Sequence, residues 1–413
     1  MSAPAQRNLI LLATAELLAM SLWFTGTAVL PQLEREWRLG LGAASWITIT
    51  VQLGFVAGAL LAAIFNLADV FSAPRVLVMS ALLAAAANAL FATFSSHVMF
   101  ALLCRFLTGA FLAGVYPTGM KILASWYRDG RGLALGVLIA ALTVGSAVPH
   151  ALLAGLLTGD MHWQSVVLAS SGLAILGAAI VAFGVREGPY AAPQPPFRFS
   201  QIAEALSNRR LRLANFGYLG HMWELYSVWG WMSLLLGAAA SRSAAPVGKS
   251  FVEFATFLVI ALGAVGCVWA GVASDSFASG SSPRTKIVGR ANVTIIAMAV
   301  SAACCVLAAL LFDQFTLLLV TALIWGVAVI ADSAQFSAIV SEVSDQRYVG
   351  TALTAQTAMG FLLTTASLRF TAYVAANYGW RWAAAILAIG PALGIIAMLR
   401  LKDAAIDQAA AAR

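Results

Sequence analysis

Charge is what this 413-residue chain has least of: Asp, Glu, Lys and Arg together make 10% of it. A soluble domain carries roughly 25%. Apolar residues make 61%, which leaves too little polar surface for water to wet. A water-soluble globule is excluded, and an integral membrane protein follows, with the lipid bilayer as its first partner. Cysteine is scarce too. Cys104, Cys267, Cys304 and Cys305 all lie in apolar stretches, so no extramembrane disulfide framework is available. No His or Cys partner sits at ligand spacing, so no metal site is expected. The loop G-x-x-x-x-G-K-[ST] does not occur, which excludes a nucleotide-driven pump, and no cofactor is expected. The net charge of +7 does not signify nucleic acid, because the basic residues are scattered over short loops without a dense cluster.

Apolar length organises what is present. A spanning helix needs about 20 mostly apolar residues. Twelve stretches qualify: 8–30, 43–65, 75–94, 98–124, 131–157, 164–185, 211–237, 250–274, 287–311, 315–340, 349–376 and 379–400. The first follows Arg7 and is too long for the apolar core of a cleaved signal, so it reads as a membrane helix. An even number of spans puts both termini on one side. Most loop arginines and lysines, among them Arg75, Arg128, Arg131, Arg186, Arg284, Lys286 and Arg347, flank the loops on that side. The opposite loops hold Arg35, Arg38, Arg242, Lys249 and Arg381. Basic residues favour the cytoplasmic side, so both termini are expected there. Twenty arginines against four lysines, with abundant alanine, suggest a GC-rich bacterial genome and hence a bacterial inner membrane.

One connection differs. Residues 186–210, "REGPYAAPQPPFRFSQIAEALSNRR", begin Pro-rich and end in a short amphipathic pattern capped by Ser200, with Ile202 and Leu206 on one face. They read as a cytoplasmic tether between an N-terminal six-helix bundle, 1–185, and a C-terminal one, 211–413. The halves also echo each other. Asp69 after the second span is answered by Asp275 after the eighth, each followed by small residues and an Arg, Arg75 or Arg284. "RDGRG" (128–132) is answered by "SDQRY" (344–348), which aligns Asp129 with Asp345 and Arg131 with Arg347. Glu16 in span one is matched by Glu224 in span seven. Parallel six-span repeats point to a secondary transporter.

Here the residues resemble a family. "GALLAAIFNLADVFSAPR" (58–75) is similar to the loop signature G-x-L-x-D-R-x-G-R of the major facilitator superfamily. Val70 stands where a basic residue is usual, and Ser72-Ala73 where glycine is. "RFLTGAFLAG" (105–114) resembles the fourth-helix signature R-x-x-x-G-x-x-x-G with one extra residue. The antiporter signature of helix five is only faintly echoed by "GSAVPH" (145–150), which tilts away from a drug–proton antiporter. Residues 105–136 look more like the branches that move small anions. The resemblance implies an all-α fold of twelve transmembrane helices in two pseudo-symmetric six-helix bundles. It also implies a monomeric secondary transporter working by alternating access, with protons and a small organic or inorganic anion as partners. Symport is the expected mode. Proton-driven efflux of a drug, siderophore or metal chelate is the rival. An intramembrane enzyme lacks an H-E-x-x-H or a Ser–His pair, and a transporter-like sensor would carry an extra soluble domain, so no enzyme is expected.

The ionisable residues inside the spans are the site candidates, because a charge there costs at least ~3 kcal/mol on insertion scales. His221 and Glu224 are three apart near the middle of span seven. They serve either as relay residues or as a structural hydrogen bond, to each other or to a neighbouring helix. Glu16 reads as a coupling residue or a cytoplasmic gate. Arg105 in span four reads as a binding or coupling residue or as a structural one; its planar fork suits a carboxylate or phosphate, with a substrate anion, Glu16 or Glu224 as its partner. The resemblance implies the functional role, since the superfamily places a functional Arg here. Asp332 in span ten, with Gln335 and Phe336 on its face, is a proton or cation site or a gate. Gln356 and Thr357 in span eleven are placed to bond cargo or a neighbouring helix. Asp69, Arg75, Asp129, Arg131, Asp275, Asp345 and Arg347 are the expected gating residues of the cytoplasmic loops. His150 is expected to face the lumen, Trp231 to sit in an aromatic belt, and Arg369 to snorkel to the interface without function.

Overall fold

A computed structural model describes residues 3–65, 67–94, 97–127, 131–155, 161–191, 207–278, 283–344 and 349–411. Among these all regular structure is helical, with no strand. The first span is built from α1 (Ala3–Met20), α2 (Thr25–Ala28) and α3 (Leu30–Glu36). The second is α4 (Leu41–Ile64), followed by the short α5 (Leu67–Val70), and the third is α6 (Ala73–Phe94). The fourth is broken into α7 (Val98–Leu112) and α8 (Tyr116–Ala124); α9 (Arg131–Leu153) and α10 (Trp163–Gly184) complete the first bundle. The second bundle holds α11 (Arg209–Ala240), α12 (Lys249–Ala278) and α13 (Pro283–Leu310) as spans seven to nine. Span ten divides into α14 (Phe315–Ala331) and α15 (Ser333–Val343), and span eleven is α16 (Val349–Tyr378). Span twelve runs through α17 (Trp380–Ala385), a 3-10 turn (Ile386–Ala388) and α18 (Ile389–Ala411).

Among the described residues nine helical stretches are long and apolar enough to cross a membrane. The first, seventh and eleventh spans are diluted by the residues that drew attention in the sequence. Arg7 and Glu16 lie in α1; Arg209, Arg210, Arg212, His221 and Glu224 lie in α11; α16 carries a series of Thr and Ser with Gln356. Polar residues in a span are tolerated where they face the protein interior. Glu16, His221, Glu224 and Gln356 are indeed buried in the protein.

Packing repeats between the halves. Spans one and six, two and four, and three and six pack in the first bundle, as do seven and twelve, eight and ten, and nine and twelve in the second. Glycine makes the repeat exact in kind. A Cβ placed on Gly109 of α7 would lie 2.0 Å from the carbonyl oxygen of Val51 in α4. On Gly326 of α14 it would lie 1.8 Å from the carbonyl oxygen of Val259 in α12. Lipid gives helices no hydrophobic drive to associate, so close van der Waals approach over small residues has to hold them. The extra residue of the fourth-span signature also finds its reason: Gly114 meets the side chain of Ser80 in α6, not α4.

The bundles meet along two seams, α9 on α12 and α4 on α16. The linker is less free at its root than a tether would be. Glu187 accepts from the backbone N–H of Ala73 at 2.7 Å, capping α6. The backbone of Arg186 bonds Asn8 and Trp126, and Gly188 donates to Ser125. The amphipathic pattern around Ile202 and Leu206 lies outside the described residues.

Candidate functional site

The break in the first span explains where Arg105 goes. Helical bonding slackens after Met20: Leu22 and Trp23 donate to Ala19 and Met20 in tight i to i−3 turns. That leaves carbonyls in an apolar interior without helical partners, a costly state unless a donor is supplied. Arg105, fully buried in α7, supplies it. Its guanidinium donates to the carbonyls of Leu22 at 3.1 Å and Trp23 at 2.5 Å. It also donates to Thr25 Oγ1 at 3.2 Å and Asn88 Oδ1 at 2.9 Å. Asn88 in α6 then donates to the carbonyl of Val167 and to Ser171 in α10. Arg105 therefore heads a buried network across spans one, three, four and six, with neither Glu16 nor Glu224 among its partners. The signal for Asn88 was a lone amide in a span of Ala and Leu, which sequence reasoning passed over.

Glu16 is the opposite case. It lies in α1, 1% exposed, and neither carboxyl oxygen has a hydrogen-bond partner among the described residues. Oε2 rests against the bare Cα of Gly119 in α8, where a Cβ would come within 2.8 Å. Gln52 of α4 and Gln356 of α16 share this character, since both amide atoms of the first and Nε2 of the second are buried and, among the described residues, unpartnered. Gln52 was not singled out in the sequence, where it reads as one polar residue in an apolar helix.

The second bundle holds the other acids. Oε1 of Glu224 accepts from Ser301 at 2.6 Å, Cys305 at 3.1 Å and the indole N–H of Trp325 at 2.5 Å. Three donors on one oxygen fix the carboxyl against spans nine and ten. His221 does not turn to Glu224. Its Nδ1 lies 2.8 Å from Oδ1 of Asp332, at the junction of α14 and α15, though poorly aligned for a hydrogen bond. The three residues thus gather inside one bundle, on spans seven and ten. Gln335 is drawn elsewhere: it donates to the carbonyl of Ala270 at 3.2 Å and accepts from Arg290 at 3.1 Å. Arg290 also holds Glu342 at 3.0 Å and Ser274. Gln335 therefore belongs to a network that closes spans eight to ten near the termini face.

Several other expectations change. His150 is 1% exposed and does not face an open lumen; its Nδ1 meets Oε2 of Glu253 at 2.7 Å across the α9–α12 seam. Glu253 was missed because it sits one turn into an apolar span, where a carboxylate reads as a boundary residue. Trp231 is buried against Trp380, with ring centroids 6.1 Å apart, instead of facing a lipid belt. Arg369 reaches across to the carbonyl of Gly42 and to Ser45. Trp23 and Phe55 of the first bundle pack on Tyr226 and Phe361 of the second, Phe55 to Phe361 at 4.6 Å and Trp23 to Tyr226 at 5.9 Å. This aromatic plug closes the interface between the halves. Of the loop residues, Arg75 is exposed at the start of α6. Asp129, Asp345 and Arg347, and the side chains of Asp69, Arg131 and Asp275, lie outside the described residues.

A family model, Major Facilitator Superfamily, matches residues 11–285. Among solved structures the chain is similar to a bacterial homologue of the human lysosomal transporter Spinster, in an inward-facing and unoccupied conformation. Identity there is 13% over 98% of each chain, with a TM-score of 0.72. A structure of such a homologue in an inward-facing and occupied conformation gives 14% identity over 97% of each chain and a TM-score of 0.70. Likeness at that identity speaks to the fold alone. No curated protein matches the chain.

Proposed function

The chain belongs to the Major Facilitator Superfamily, and from that premise we propose that it is a proton-coupled secondary transporter of a small organic molecule, with Glu16 as the proton carrier. The carrying observation is the state of Glu16. Its carboxyl is buried, with both oxygens unpartnered among the described residues. A charged carboxylate left so costs several kcal/mol, and a proton removes most of that cost. The group therefore gains or loses its proton only as a partner comes and goes, which is what coupling to cargo requires. Alternating access supplies the motion: the bundles rock and part the aromatic plug in one of the two states.

The same geometry bears on the cargo. Arg105 carried the expectation of an anion, and an anion would have to displace it from the carbonyls of Leu22 and Trp23. With aromatic rings between the halves and the acids Glu16, Glu224 and Asp332 buried in the spans, a neutral or cationic amphipathic molecule fits better. Rings accept such a cargo through their faces and their apolar area. Cytoplasmic termini, with uptake or efflux across an inner membrane, complete the reading on the strength of the loop charges.

The test uses protein reconstituted in liposomes, with cargo first identified by thermal stabilisation against a panel of anions, cations and neutral compounds. Glu16→Gln mimics the protonated acid and cannot cycle. It should keep cargo exchange yet lose accumulation driven by a pH gradient. Accumulation equal to the parent's would remove Glu16 from the coupling role, and stabilisation by anions alone would return the cargo to that class.

A further inference from the structure

Both seams between the bundles carry polar ties, and both ties lie toward the face away from the termini. On the α9–α12 seam, His150 Nδ1 meets Glu253 Oε2 at 2.7 Å, in the last turn of α9 and the second of α12. Ser233 of α11 donates to the other oxygen of Glu253 at 2.7 Å. His150 and Glu253 are 1% and 3% exposed. On the α4–α16 seam, Arg369 of α16 donates to the carbonyl of Gly42 and to Ser45 of α4. The repeat that matches span two to eight and five to eleven interchanges the two seams. The chain has thus placed one tie on each, at the same end, from unrelated residues.

We propose that Glu253 and His150 are a positioning pair of the transport cycle, a bond between the bundles that holds the face away from the termini shut and must break for that face to open. The inference rests on the alternating-access reading above, and on neither Glu16 nor the identity of the cargo. Rocking the bundles apart must separate α9 from α12 at this end. The bond is made in an apolar seam and would be exchanged for water as the face opens. A hydrogen bond to a charged group is worth about tenfold or more in such an equilibrium. Arg369 is exposed, so its tie is already in competition with water and weighs less. Ser233 satisfies the second oxygen of Glu253 from its own bundle. That keeps the carboxyl aimed at His150 whichever state the bundles adopt.

Distance measurement between spin labels tests this on the full chain in lipid nanodiscs. One label is placed at Arg35→Cys in α3 of the first bundle, the other at Ala244→Cys in the loop after α11. The native cysteines are all buried, which leaves the two introduced thiols to react. His150→Phe should raise the ratio of open to closed populations on that face about tenfold or more, and Glu253→Gln severalfold, in the same direction. The double variant should go no further than the larger single, because one bond has been lost and not two. Ser233→Ala should act more weakly in the same direction, and it also serves if a variant of His150 or Glu253 fails to fold. Exchanging the pair, His150→Glu with Glu253→His, should restore closure. Unchanged distances in His150→Phe, Glu253→Gln and Ser233→Ala, or shifts that simply add in the double variant, overturn the proposal. Shifts as expected alongside a fully coupled Glu16→Gln would leave the latch standing and sink the proton carrier.

Discussion

Replacing Arg105 by lysine separates two roles that the sequence could not. If the guanidinium is an anchor for the broken first span, Arg105→Lys removes the fork that reaches Leu22, Trp23, Thr25 and Asn88 together. An ammonium keeps the charge but offers no planar pair of donors. Suppose it retains half of the four contacts. At about 1.5–3 kcal/mol for a bond to a charged group, or about 0.6 for an average interhelical bond in a membrane, the loss is roughly 1–6 kcal/mol. Even the lower figure moves an unfolding midpoint by a measurable amount. The assay is thermal unfolding of purified protein in detergent, followed by the fluorescence of its twelve tryptophans, beside cargo affinity of the fraction that remains folded. An anchor predicts a lowered midpoint with affinity close to the parent's. Asn88→Leu should lower it as well, since it strips Arg105 of one acceptor and removes the donor that ties Val167 and Ser171 of α10 to α6, leaving Val167 only the bond from Ser171. A parent-like midpoint in Arg105→Lys, together with cargo affinity reduced tenfold or more, would refute the anchor and restore Arg105 to the binding site.

Two further outcomes follow from geometry outside the centre. Gly109→Ala should destabilise the first bundle or block its assembly, because the added methyl falls 2.0 Å from a backbone oxygen of α4 that has no side chain to move; Gly172→Ala, which meets nothing within 4 Å, should be neutral in the same expression and unfolding assays. On the face away from the termini, Asp313 accepts from Arg242 at 2.6 Å and from Arg381, joining two loops of the second bundle to the start of α17. The bond from Arg242, then the charges of both arginines, hold its carboxyl below the usual carboxylate range. A depressed folded value means stability that is present above the unfolded pKa and is lost as pH falls through the folded one. Thermal stability measured from neutral to acid pH should therefore fall less in Asp313→Asn than in the parent. The difference should be small and should shrink in high salt, because the site is exposed; an equal fall in both would show that the tie carries nothing.

The sequence by itself determined the class of molecule and its coarse plan. Ten percent charge and the long apolar runs leave only helices that cross a bilayer, since lipid offers the backbone no other partner. Most span positions were therefore legible to within a few residues from apolar length alone, though the last helix runs on to Ala411, well past the apolar stretch that ends at 400. The first span was not, because a break at Ser21–Phe24 keeps the apolar composition of a continuous helix. The echo of Glu16 in Glu224 announced two halves, but the matched residues meet different fates: among the described residues Glu224 is held by three donors, while Glu16 has none. Which buried polar group answers which was decided by the tertiary structure. His221 lies three residues from Glu224 and pairs with Asp332, 111 positions away; Arg105 turns to carbonyls that exist as acceptors only because a distant helix is broken. Apolar length is a local property, written along the chain and enforced by the bilayer. A hydrogen bond between spans depends on helix rotation and depth, which only packing sets, so a lone His150 or Glu253 gives no sign of its partner until α9 lies against α12.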